Sequence, residues 1–158
     1  MPNTTPHLSD YQPELWGTRL LMNPFESGVG VLFTSTAIKY ATIGFTGGLG
    51  ATAFSGIPAV IVIAWALVIF LAGAGLITYA LAPIERAGAM QHIEKASLYL
   101  GAAGWVTLAL ATLVGYHPFD TAYMVQALAI SSACILRLIA IHRVERAIER
   151  NGGGTRGD

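Results

Sequence analysis

The sequence predicts an all-α integral membrane protein: a four-transmembrane-helix bundle with a short N-terminal interfacial helix and a cytoplasmic C-terminal helical extension. Three observations lead there. No charged residue occurs between Lys39 and Glu85, a run of 45 residues. One crossing uses about 20 apolar residues, so this run holds more than one helix. Two further charge-free runs follow at 96–119 and 121–136. Finally, 11% of the residues are charged against 54% hydrophobic, too few to clothe a water-facing surface, where about 25% is usual. The formal net charge is zero, which leaves no bulk electrostatic attraction to nucleic acid.

Residues 1–10 lack a basic and an apolar stretch, so no cleaved secretory signal is expected. Residues 1–12 are polar and read as a tail. Residues 13–25 mix Leu15, Trp16, Leu20, Leu21, Met22 and Phe25 with Glu14 and Arg19. That pattern suits a short helix at the headgroup boundary, with Trp16 as its anchor, broken by Asn23-Pro24.

The first span, 27–47, is the weakest. Lys39 sits near its middle, and a central lysine costs ~2.5–3.5 kcal/mol on insertion scales, nearly cancelling apolar residues worth ~0.3–0.6 kcal/mol each. Residues 47–56 contain four glycines and no charge and read as a turn. The strongest span is 57–81; Pro58 is tolerated in its first turn and Pro83 closes it. Residues 82–95, with Glu85, Arg86, His92, Glu94 and Lys95, read as a polar loop. The third span, 96–115, opens with Gly101-Ala102-Ala103-Gly104. A brief turn at 116–121 leads to the fourth span, 122–141, whose helical pattern continues to Arg150. The chain thus divides into residues 1–26, a membrane domain at 27–141, and a basic amphipathic extension with a glycine-rich tail at 142–158.

Basic residues set the orientation. Arg86 and Lys95 lie in the second connection; Arg143, Arg146, Arg150 and Arg156 lie after the fourth span; the other two connections have none. Both termini are therefore expected in the cytoplasm, which requires 27–47 to cross.

At helical spacing Ser35, Lys39, Thr42 and Thr46 share one face, with Phe33, Ala37, Tyr40 and Gly44 roughly opposite. The stripe reads as a pore lining or as a helix-packing surface. Gly44-x-x-x-Gly48 and the pair Gly101 and Gly104 read as close-packing positions. Arg137, one turn from the end of the fourth span, reads as an interface anchor that reaches the headgroups. Arg143, Arg146 and Arg150 read the same way on the amphipathic extension. Cys134 reads as a core thiol. His92, His117 and His142 are scattered, so no metal site follows. No nucleophile elbow, zinc-protease, P-loop or dinucleotide motif occurs, and no catalytic residue or cofactor is expected.

The glycine- and alanine-rich hairpins, the charged segment His142-Arg143-Val144-Glu145-Arg146-Ala147-Ile148-Glu149-Arg150 and the glycine tail together resemble the plan of small four-span membrane proteins of actinobacterial phages, some of which are holins in lysis cassettes. The resemblance lies in size and layout, and no residue role follows from it. It implies a protein that accumulates in the inner membrane, forms homo-oligomers and opens a lesion through which an endolysin reaches the cell wall. Two other classes fit the residues: a non-enzymatic accessory subunit of a larger membrane complex, and a small channel or transporter. The lipid bilayer is the partner common to all three.

Overall fold

Prolines and glycines mark the helix boundaries in a computed structural model of the protein, which describes residues 23–48, 54, 56–82, 84–114 and 121–152. Among these residues the fold is all-helical: α1 Pro24–Thr46, α2 Ala59–Leu81, α3 Ile84–Val114 and α4 Thr121–Gly152. Pro24 opens α1 where its missing N–H costs nothing, and Glu26 in the first turn faces the positive end of the helix dipole. Gly47, at φ 77°, ends α1 in the left-handed conformation, its N–H donating to the Ile43 carbonyl. At the end of α2, Ala82 is extended (φ −64°, ψ 140°), the conformation that the following Pro83 imposes.

Among the described residues, three helical segments are long and apolar enough to cross a membrane: Ala59–Leu81, Ala89–Leu113 and Tyr123–Ala147. The helix Pro24–Thr46 is not among them, because Lys39 and its Ser and Thr residues dilute its apolarity. Outward-facing Leu67, Leu71, Leu110, Leu113 and Leu136 give the bundle an exterior suited to lipid.

One boundary differs from the expected layout. Residues 84–95, expected as a polar loop, form the first turns of α3. Ala87, Ala89, Met90, Gln91, Glu94 and Lys95 favour helix, and no proline interrupts them after Pro83. Polarity sets the environment of a segment, not its backbone. Here Glu94 and Lys95 find partners on α4 instead of water. The connection from α2 to α3 shrinks to residues 82–83. The extension after 141 is continuous with α4. The expected interfacial helix with Trp16, the turn at 116–120 and the tail at 153–158 lie outside the described residues.

Each helix packs against the next in sequence, so the starts of α1 and α3 and the ends of α2 and α4 share one end of the bundle. The tightest approach joins α1 and α2. A Cβ on Gly73 would sit 2.8 Å from the Gly30 carbonyl oxygen and 2.8 Å from the Thr34 nitrogen. Both are backbone atoms, so the helices themselves would have to part. Gly73→Ala is therefore expected to destabilise the protein by about 1–3 kcal/mol, read as earlier unfolding in mixed detergent micelles. Farther along, Gly44 faces Ile63 and Ala59. Phe33, Tyr40, Phe54, Trp65 and Trp105 form an aromatic core. The Trp65 indole donates to the Gly104 carbonyl at 2.7 Å, and Cys134 is fully buried.

Candidate functional site

Two polar features stand out against this apolar frame, one outside the bundle and one inside it. The outer feature is the stripe on α1. Ser35, Lys39, Thr42 and Thr46 are all exposed, while Glu26, Gly30, Phe33, Ala37, Tyr40 and Gly44 face inward. The hydroxyls bond within their own helix: Ser35 donates to the Leu32 carbonyl at 3.0 Å, Thr42 to Ile38 at 2.9 Å and Thr46 to Thr42 at 3.0 Å. They need no partner beyond α1. Lys39 differs, because its ammonium has the Tyr40 ring for company, 5.7 Å from the ring centroid. A path through one bundle cannot use this stripe, since the interior at that level is filled by Tyr40, Phe54 and Trp65.

The inner feature is an ionic cluster to which all four helices contribute. Arg137 on α4 places its Nη2 2.5 Å from Glu26 Oε1 on α1 and 3.0 Å from Glu94 Oε1 on α3. Its Nε donates to the same Glu94 oxygen at 3.1 Å. The Glu26 contact is an ion pair without the alignment of a hydrogen bond. Tyr79 on α2 lies within electrostatic reach of Glu94. Both carboxylates are almost fully buried, at 2% and 1% exposure, whereas the Arg137 side chain is more than a third exposed. Two carboxylates thus share one guanidinium in a place where an isolated charge would be costly.

Arg137 accordingly reaches across the bundle, where the sequence suggested a reach to the headgroups. Glu94 belongs to the segment expected as a polar loop, and Glu26 carries no expected role. A signal was present: Leu138-Ile139-Ala140-Ile141 follow Arg137, so the arginine stands a full apolar turn inside α4. Beyond this cluster, Lys95 pairs with Glu145, joining α3 to the extension of α4. Among the described residues no group of His, Cys, Asp or Glu could hold a metal ion.

The remaining site expectations fall in different places. Gly101 and Gly104 lie at helix contacts, against Phe33 and Ile69 respectively. Gly48 lies past the end of α1, is exposed, and a Cβ there would meet only Ile43 and Thr46 of its own segment. Within one bundle, only Gly44 of the Gly44-x-x-x-Gly48 pair meets a neighbouring helix, because α1 ends between the two glycines. Arg143, Arg146 and Arg150 are exposed on the extension of α4. Comparison with protein-family models, with curated proteins and with solved structures finds no match.

Proposed function

We propose that this chain is a small multi-pass membrane protein of the inner membrane that acts by lateral assembly, in the manner of a holin, with permeability arising between copies. The observation that carries this reading is the outward placement of Ser35, Lys39, Thr42 and Thr46 on α1, beside a bundle interior packed with aromatic rings. A polar stripe that faces away from its own bundle can be sheltered from lipid by the same stripe on a neighbour.

The reading takes α1 as a fourth span. Its support is the contact of α1 along α2, from Gly30 against Gly73 and Ile77 to Gly44 against Ile63 and Ala59. A helix aligned with a spanning neighbour over that length shares its passage through the bilayer. With Arg86, Lys95, Arg143 and Arg146 toward the ionic-cluster end, that end belongs on the cytoplasmic side.

Expression from an inducible promoter tests the proposal. The wild-type chain is expected to arrest growth abruptly and to release a co-expressed cell-wall hydrolase. Lys39→Leu removes an insertion cost of about 2.5–3.5 kcal/mol, so it should insert at least as well. It should nevertheless lose release by roughly tenfold or more, as expected for a buried polar contact worth at least about 1.4 kcal/mol between copies. Unchanged release by Lys39→Leu would sink the stripe as an assembly surface. A harmless wild-type chain that co-purifies stoichiometrically with a larger complex would make it an accessory subunit instead.

A further inference from the structure

On the outer flank of α3 and α4 lies a groove of about 520 Å³, within the range of about 300–1,000 Å³ usual for small-ligand sites. Its floor is apolar, with Tyr99 and Ala102 from α3 and Ile135, Leu138 and Ile139 from α4. Its outer end is cationic, with Arg143 and Arg146 beside His142. The His142 ring is held in place by its Nδ1, 2.8 Å from the Leu138 carbonyl oxygen. From Ile135 to Arg146 the groove follows about 16 Å of helix. The residues change from apolar to cationic where the membrane-crossing segment Tyr123–Ala147 approaches its end.

The described carboxylates of α3 and α4 are already engaged. Glu145 pairs with Lys95, and Glu94 pairs with Arg137. Among the described side chains, no ion pair involves Arg143 or Arg146, and both line the groove mouth. Apolar floor, cationic mouth and interfacial depth match one ligand chemistry: acyl chains below a phosphate.

We propose that this groove binds one anionic phospholipid, its acyl chains along Ile135 and Ile139 and its phosphate on Arg143 and Arg146. The site is independent of the stripe on α1, and of whether the protein assembles. It also goes beyond general attraction to a negative membrane surface, because it requires a fixed position for the lipid.

The test uses the full chain purified in a neutral detergent and titrated with phosphatidylglycerol or phosphatidylcholine of identical chains, bound lipid being counted by native mass spectrometry. One phosphatidylglycerol is expected to be retained with a preference of roughly ten- to thirty-fold, the attraction of two arginines near the headgroup plane. Arg143→Gln with Arg146→Gln should abolish the preference, and Arg150→Gln, outside the groove, should leave it. Ile139→Trp, which fills the floor, should weaken retention of phosphatidylglycerol while helicity is unchanged. Equal retention of both lipids overturns the proposal. So does an equal loss with Arg150→Gln, which marks a diffuse surface effect, or full retention by Ile139→Trp. Displacement of the lipid by millimolar inorganic phosphate overturns it as well, because a bound lipid is held by its chains.

Discussion

Arg137→Leu is expected to lower the stability of the folded bundle by about 3–5 kcal/mol. The substitution keeps α4 apolar and helical but leaves Glu26 and Glu94, at 2% and 1% exposure, without their shared cation. Removing one side of a buried ion pair strands the other, whereas removing the whole group need not be costly. The triple variant Arg137→Leu, Glu26→Gln, Glu94→Gln should therefore recover most of the loss. Denaturant titration in mixed micelles, followed by Trp65 and Trp105 fluorescence, measures both. A triple variant as unstable as Arg137→Leu would assign the loss to packing of the arginine stem and not to stranded charge. Either single glutamine variant should cost less than Arg137→Leu, since Arg137 then keeps one carboxylate.

The cluster also shows what a linear reading of this chain can and cannot reach. Apolarity and prolines are local signals, so the span expected at 57–81 emerges as Ala59–Leu81 with its ends nearly in place. The two faces of α1 follow from helical periodicity alone: Phe33, Ala37, Tyr40 and Gly44 turn inward and the Ser, Lys and Thr stripe turns outward. The start of α3 is not legible by the same means, because charged residues such as those in 84–95 are as common in solvated loops as in helices. Two of them, Glu94 and Lys95, instead have partners that lie far away in sequence. Glu94 and Arg137 are 43 residues apart, and Lys95 and Glu145 are 50 apart. Their meeting depends on the depth at which antiparallel helices are aligned, which residue composition does not encode.

Close packing is hidden for the same reason. Gly30 and Gly73 carry the nearest backbone approach between α1 and α2, yet neither belongs to a glycine motif that spacing would single out. In an alanine- and glycine-rich chain many small residues satisfy such motifs, and only the register selects those that touch. Gly44-x-x-x-Gly48 satisfies the spacing, but α1 ends at Thr46, so within one bundle only Gly44 packs on a neighbouring helix.

Phe33→Ala should have the other large effect, a loss of about 3–5 kcal/mol. Phe33 is fully buried, lies 5.8 Å from Trp105 between ring centroids, and occupies the space that a side chain at Gly101 would need. A Cβ on Gly101 would approach the Phe33 ring to 2.2 Å. Phe33 and Gly101 therefore form one complementary contact between α1 and α3. Gly101→Ala alone should destabilise by about 1–3 kcal/mol through overpacking. Combined with Phe33→Ala, however, the added methyl enters the vacated space, so the double variant should be more stable than the sum of the single losses by about 0.5–3 kcal/mol. Additive losses would mean that α1 shifts on the bundle when the ring is removed. Because the outward stripe is carried on the same helix, the lateral-assembly proposal would then also predict altered membrane release for Phe33→Ala without any change to Lys39.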